Sequence, residues 1–378
     1  MQHYHYIFTG GGLSAMMVVY EMVKNEKFSG QSILIIDADD KQTNDRTWCF
    51  WDEQDDFDGI VSKSWNQAVY ADTDFRKVLD LKPYQYKMIQ GKDFYDGFRR
   101  TIEGKTSVHF LQQKVLDFHE LGQHCIVKTD TQSFTCNKVF NSIFNPEMVR
   151  NQKKYPLLQQ HFVGWFVKTK SQVFNPIKAT FMDFSVAQNN NTRFMYVLPF
   201  SETEALVEYT LFSKELLPRE EYETAIAKYL ENIGAIDFEI TEKEHGNIPM
   251  TVYPFWKQNT KNIIHIGSAG GWTKASTGYT FKNTVKKSKA LVQFLATEND
   301  FRKFHQKNKF WFYDLLFIDV LSRRNDLGST VFSGMFCHVS PALIFKFLDE
   351  ETTFAEDLKI IWSCPKKLFI RALLGRLF

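Results

Sequence analysis

Near the start of the chain, Gly10-Gly11-Gly12-Leu13-Ser14-Ala15 has the spacing G-x-G-x-x-A and joins an apolar run, Tyr4 to Phe8, to a helix-like stretch, Met16 to Val23. A second apolar run, Ser32-Ile33-Leu34-Ile35-Ile36, ends in Asp37, twenty-two residues after Ala15. Strand, glycine turn, helix and a second strand ending in a carboxylate make one β-α-β unit. Each residue has a physical job in it. Gly10 permits the tight turn, Gly12 lets a pyrophosphate approach the backbone, and Ala15 lets the helix pack close to the sheet. Leu13 and Ser14 begin the helix, whose first N–H groups are free to meet phosphate oxygens. Asp37 can accept hydrogen bonds from a ribose 2′-hydroxyl. The unit predicts a dinucleotide-binding α/β fold.

A chain of 378 residues has room for two or three subdomains around sizeable cores. A net charge of +2 gives no basic face for nucleic acid. The 36 Phe, 8 Trp and 15 Tyr suit a large core, and equally a long apolar or polyene ligand. Cys49, Cys125, Cys136, Cys337 and Cys364 are widely spaced with no C-x-x-C, which argues against a disulfide framework or a structural zinc site. No metal ligand set and no Ser-His-Asp ordering stands out. No leader precedes the first strand and no apolar stretch is long enough to span a bilayer, so a cytoplasmic protein is expected.

Along the chain, residues 93–104 read as a helix. Val108 to Glu120 and His124 to Thr131 read as strands joined at Gly122, with another short strand at Lys138 to Phe144. The centre holds four aromatic and β-branched runs, His161–Thr169, Lys178–Phe184, Arg193–Phe200 and Glu204–Phe212, which predict an antiparallel sheet. A helix over Glu220–Ile233 follows, then a buried strand at Ile263–Gly267, then helix from Phe301 to the end. This gives a discontinuous nucleotide domain (1–75, 100–150 and 245–295), an antiparallel-sheet domain (76–99 and 151–244) and a helical C-terminal region (296–378).

Four further segments bear on chemistry. Arg46 and Trp48, in Asn44-Asp45-Arg46-Thr47-Trp48-Cys49-Phe50-Trp51, can contact pyrophosphate and stack on a ring, or belong to a loop whose aromatics pack on the core. Gly267, Ala269 and Gly270, followed by Thr277-Gly278-Tyr279, can offer backbone N–H groups to a second part of the cofactor. Glu208 lies in the apolar run Ala205-Leu206-Val207-Glu208-Tyr209-Thr210-Leu211-Phe212. Buried there, it becomes a neutral acid able to donate a proton; on an edge strand it merely faces solvent. His245 to Thr251 reads locally as a structural loop before the last strand.

Together these pieces resemble the lycopene cyclase family. The matching segments run in family order: Gly10 to Ala15, Asp37, Arg46-Thr47-Trp48-Cys49-Phe50, Gln160-His161-Phe162-Val163-Gly164, Phe181-Met182-Asp183, Phe194 to Pro199, Val207-Glu208-Tyr209-Thr210, Ile248-Pro249-Met250 and Ser276-Thr277-Gly278-Tyr279. The resemblance covers roughly residues 1 to 285 and implies a Rossmann-like FAD/NAD(P)-binding domain interrupted by an antiparallel-sheet substrate domain. It implies reduced FAD as cofactor with NAD(P)H as reductant, lycopene as substrate, and redox-neutral closure of its acyclic ends to β-ionone rings, with Glu208 as proton donor or cation stabiliser. A redox flavoenzyme (a monooxygenase or desaturase) and a non-catalytic flavin or carotenoid carrier remain as alternatives. Lycopene resides in bilayers, and residues 359–378 carry five cations and no acidic side chain. Lying at the inner face of the cell membrane, this end would make the protein peripheral there.

Overall fold

The computed structural model describes residues 1–377 except 55, 106 and 306. β1 (Gln2–Thr9) runs into the glycine turn and α1 (Leu13–Val23), and β2 (Ile33–Asp37) returns parallel to β1. Ile33 to Ile36 are all buried, as expected of a parallel strand covered on both faces. The next strands are β3 (Thr47–Asp52), β4 (Lys63–Trp65), β5 (Gln67–Ala71), β6 (Arg76–Asp80) and β7 (Gln85–Gln90), followed by α2 (Gly91–Ile102). Then come β8 (Val108–Gln112), β9 (Val115–Leu121), β10 (His124–Thr129), β11 (Ser133–Asn141) and the single turn α3 (Glu147–Arg150). The centre comprises β12 (Leu158–Thr169), β13 (Lys178–Asp183), β14 (Thr192–Pro199), β15 (Glu204–Ser213), α4 (Arg219–Asn232) and β16 (Phe238–Met250). β17 (Ile263–His265) leads to five helices: α5 (Phe281–Leu295), α6 (Lys309–Arg323), α7 (Gly328–His338), α8 (Pro341–Leu348) and α9 (Phe354–Ser363). A last helix, α10 (Lys366–Leu377), follows Pro365.

Three sheets result. The nucleotide sheet has the order β8-β2-β1-β11-β10-β9, and β17 pairs with the C-terminal half of β11. The second sheet has the order β16-β12-β15-β14-β13-β5-β6 and is antiparallel except where β13 meets β5. β3, β7 and β4 make a small third sheet. This is the α/β class expected, with a helical C-terminal region.

The details differ in four places. Val108–Glu120 is two strands, because β8 pairs parallel with β2 whereas β9 turns to pair antiparallel with β10. Residues 47–52 form a strand rather than a loop, paired along their whole length with β7. Residues 245–250 continue β16, which pairs with β12 over its full length. The sheets also divide the chain differently from the expected boundaries. β5 lies in the antiparallel sheet although it precedes residue 76, while Phe94, Phe98 and Ile102 of α2 share a core with Met16 and Val19 of α1. Long-range pairing decided these assignments, and it leaves no local sequence signal.

Each face of the antiparallel sheet is covered by different elements. On one face Val163, Trp165, Met195, Val207, Tyr209 and Leu211 pack on Ile226 and Leu230 of α4. On the other, Phe166, Phe194, Leu206 and Phe212 meet Phe332, Met335 and Phe345 from α7 and α8. The second face is incompletely filled, which leaves a cavity between the sheet and these helices.

Candidate functional site

A cavity of about 490 Å³ runs from the N-terminus of α1 across the antiparallel sheet to α7 and α8. At its nucleotide end, Gly10 adopts a φ of +94° and its N–H donates to the Ile36 carbonyl at 2.8 Å, which closes the turn. Gly12 caps α1, and a Cβ placed there would meet nothing within 4 Å. The backbone N–H groups of the first helical turn therefore face open space. The turn of Gly267, with φ of +59°, lies against Ser14, which brings the first and last glycine segments together. Four cavity-lining polar atoms, Asp45 Oδ1, Gln160 Oε1, Thr277 Oγ1 and Thr284 Oγ1, are buried without a hydrogen-bond partner. Buried polar atoms are rarely left unpaired, so these are suited to a polar ligand.

Of the residues expected at the cofactor, Gly12, Leu13, Ser14, Arg46, Trp48, Gly267, Thr277, Gly278 and Tyr279 line the cavity, as does Glu208. Gly10, Ala15, Asp37, Ala269 and Gly270 are not among the residues that line it. Asp37 accepts hydrogen bonds from the Gly11 N–H at 2.6 Å and the Asp39 N–H at 2.9 Å, so it braces the glycine turn. A Cβ at Gly270 would come within 2.1 Å of the His265 carbonyl oxygen, so this glycine serves chain packing. Trp48 sits edge-on to Phe94 and Tyr95, held in the core rather than free to stack. Tyr279 turns toward the sheet: its hydroxyl meets that of Tyr86 at 2.9 Å, and Tyr86 meets Tyr196 at 2.7 Å. Its ring stands edge-on to Trp51, which stacks on Phe345.

At the sheet end, strand register sets the chemistry. Tyr196 pairs with Glu208, Glu208 with Gly164, and Gly164 with Glu244, so one row crosses β14, β15, β12 and β16. Directly opposite residues share a face, and this row faces the cavity. β15 is an interior strand, and Glu208 is only 7% exposed. Burial, with the charge of Glu244 added, drives its pKa well above the ordinary carboxylate range, in spite of the hydrogen bond donated by Thr210 Oγ1. Glu244 is half-buried, and burial pushes it to about 7 against the hydrogen bond it accepts from Thr47 Oγ1 at 2.8 Å. Among the described residues neither acid has a salt-bridge partner. Apolar walls and two carboxyls of raised pKa on one floor are an arrangement that can exchange protons with an apolar ligand.

Sequence reasoning missed three parts of this site. Glu244 was hidden in a segment whose polarity, Thr241-Glu242-Lys243-Glu244-His245-Gly246, suggests a loop. Phe332, Met335, Phe336, Ile344 and Phe345 close the cavity from the C-terminal helices. Lys274, beside the last glycine segment, is buried against Asp314 at 3.0 Å and Glu350 at 2.9 Å. Apolar spacing on the helices was the one available signal, and it does not say which cavity they cover.

Comparison with known proteins fits this geometry. The chain is similar to a lycopene beta-cyclase from a Paracoccus species, with 29% identity over 126 residues, 32% of each protein. The match thus spans about a third of that relative's length. In three dimensions it is similar to a geranylgeranyl bacteriochlorophyll reductase-like protein from Thermoplasma acidophilum, with a TM-score of 0.62 and 12% identity over all of both chains. It is also similar to a flavoprotein/dehydrogenase from Cytophaga hutchinsonii (TM-score 0.64, 12% identity, 99% and 100% covered) and to the flavin-dependent brominase Bmp2 (0.61, 12%, 99% of each). These likenesses establish a Rossmann-type flavoprotein fold. The family model for lycopene cyclase proteins matches residues 6–374, and the chain belongs to the lycopene cyclase family.

Proposed function

We propose that this protein closes the acyclic ends of lycopene to β-ionone rings, with reduced FAD as cofactor and NAD(P)H as its source of electrons. The observation that carries this reading is Glu208: a carboxyl on an interior strand, kept in its neutral form, facing an aromatic cavity. A neutral carboxyl is the acid needed to protonate a terminal double bond. The neighbouring double bond then attacks the tertiary cation, and loss of a proton completes the ring with no net redox change. The faces of Tyr196, Trp51 and Phe345 favour the cation and keep out water that would quench it.

The residues present fit the cofactor. The open backbone at Gly12 accommodates a pyrophosphate at the helix N-terminus, and Gln160, Thr277 and Thr284 offer unpaired polar atoms further along. Bound there, anionic reduced flavin would supply negative charge that stabilises the cation. Arg46, exposed on the cavity wall, suits a phosphate contact.

Access to a bilayer substrate is proposed through α9 and α10. No helix among the described residues is long and apolar enough to cross a membrane. Yet Trp362 is 71% exposed and Leu358, Ile370, Leu374 and Leu377 are also exposed, with Lys366 over the Trp362 ring. α10 is docked, because Arg376 grips Asp319 at 2.5 and 2.7 Å and Ala372 is buried. The exposed side chains would therefore sit in the inner face of the cell membrane while the helix stays attached, leaving the protein cytoplasmic and peripheral. Deleting residues 366–378, or replacing Trp362 and Leu374 by Ser, should move the protein from membrane to soluble fractions. Unchanged partition removes this anchor.

The function is tested by incubating the protein anaerobically with FAD, NADPH and lycopene-loaded liposomes. A product of unchanged mass, shifted retention and shortened polyene absorption supports cyclisation. A mass change points to a redox flavoenzyme, and bound flavin without turnover points to a carrier. Glu208→Gln should lower turnover by about 10²- to 10⁴-fold; cyclisation at the parent rate would rule out Glu208 as the donor.

A further inference from the structure

We infer that Glu244 is the proton acceptor that ends the reaction, working with Glu208 from the same cross-strand row, on the other side of Gly164. This rests on the cyclase reading above. The row Glu208, Gly164, Glu244 places the two carboxyls on adjacent sides of one glycine, with Cα atoms two strand spacings, roughly 10 Å, apart. The space over Gly164 is taken by its neighbours: a Cβ there would come within 2.9 Å of Leu206 Cδ1 and 3.1 Å of Glu244 Cγ. The glycine therefore lets the Glu244 side chain lie close over the strand on the face that Glu208 shares. Phe162, Phe194, Tyr196 and Leu206 line the same cavity as both acids.

Two acids are useful here because the reaction moves two protons. One leaves the Glu208 carboxyl for the terminal carbon–carbon double bond. A carbon–carbon bond then forms as the ring closes, and a second proton departs from a carbon of the new ring. Glu244 takes it, so one proton enters, one leaves, and no electrons are gained or lost. Glu208 is then ionised and Glu244 protonated; return of one proton from Glu244 to Glu208 restores the starting state.

The environments differ in the sense this division needs. Glu208 is the more buried, and the Glu244 charge raises it further, so it holds a proton. Glu244, at about 7, has Thr47 Oγ1 to stabilise its ionised form and Arg46 nearby, with Glu242 opposing them. At neutral pH one site is a donor and the other is available as an acceptor.

The test is the same liposome reaction run in D2O, with the parent, Glu208→Gln, Glu244→Gln and Glu244→Asp. The parent should give a ring product carrying one deuterium per ring. Glu208→Gln should give neither ring nor deuterium. Glu244→Gln, with a melting temperature no lower than the parent's and the same flavin spectrum, should lose ring product by roughly tenfold or more. Its recovered acyclic substrate should nevertheless carry deuterium, because the cation forms and collapses back. Glu244→Asp, with its carboxylate drawn back, should restore part of the ring product with a changed ratio of ring double-bond isomers. Parental rate and isomer ratio in both Glu244 variants would overturn the assignment. So would loss of deuterium uptake along with ring formation in a folded, flavin-binding Glu244→Gln. A parent that makes no ring would instead overturn the cyclase reading.

Discussion

Two groups of buried carboxyls lie close to the cavity, and they are treated in opposite ways. Asp314 and Glu350 converge on Lys274, which is 3% exposed, and Asn308 donates a further hydrogen bond to Glu350 at 2.6 Å. Burial alone would strip Lys274 of its proton, yet the two acids together hold its pKa above the ordinary value. Burial works against the Glu350 charge too, and Lys274 overcomes it there, whereas at Asp314 burial prevails and the carboxyl stays above its ordinary pKa. Among the described residues Glu208 and Glu244 form no salt bridge, and Arg46 acts on Glu244 only from a distance. The first group ties α6 and the turn after α8 to the loop that carries Thr277, and its charges are spent on one another. In the second, burial outweighs the hydrogen bonds from Thr210 and Thr47 and the distant Arg46 charge, so both carboxyls are held above their ordinary pKa. A buried acid becomes reactive here through what is withheld from it.

The largest effect should come from removing the cation of the first group. Lys274→Met removes the cation from both carboxyls and should destabilise the fold by about 3–5 kcal/mol in urea unfolding. A change below about 1 kcal/mol would mean that the acids simply take up protons, and the contrast between the groups would fail. Glu208→Gln, by comparison, should leave the unfolding midpoint at or above that of the parent while activity collapses.

The pH dependence of stability sharpens the same contrast. Glu244 titrates at about 7 in the folded protein against an ordinary 4.5. Between these values the folded state binds more protons than the unfolded chain, so unfolding free energy falls as pH rises. The stability this group contributes is full below 4.5 and is lost as pH passes through 7. Glu244→Gln should therefore gain on the parent as pH is raised from about 5 to 8. A constant difference across that range would show that Glu244 is not perturbed.

The smallest effect should come from Thr47→Val. Loss of one hydrogen bond to a carboxylate removes about 1 kcal/mol of support for ionised Glu244, so its pKa should rise and turnover near neutrality should fall by roughly two- to fivefold. The slowdown should diminish as pH is raised. A slowdown independent of pH would assign Thr47 to packing.

How much of the site was legible follows from how local each part is. The glycine turn, the run Ile33–Ile36 and Asp37 could be read directly, because strand, turn and helix adjoin in sequence. Gly12 and Ser14 followed from it, while Arg46 and Thr277 were read from separate short segments; all four line the cavity. Glu208 stood out as a charge within an apolar run, but only register on both sides showed that its strand is interior and faces a cavity. Glu244 did not stand out at all. It lies on an edge strand, where alternate residues meet solvent, so its surroundings in sequence are polar. Lys274, Asp314 and Glu350 are far apart in the chain and carry no mark of their pairing.

The sequence by itself determined the α/β class, the place where a dinucleotide meets a helix N-terminus, the family to which the chain belongs and one acid suited to the chemistry. These rest on short-range patterns of turn, helix and alternation, which act before any distant contact forms. Tertiary structure alone decided that β5 and β16 join the antiparallel sheet, that α7 and α8 roof the cavity, and that Glu208 and Glu244 share one face on either side of Gly164. Those facts depend on which strands pair and in what register. A shift of one residue would turn Glu208 from the cavity onto the face covered by α4.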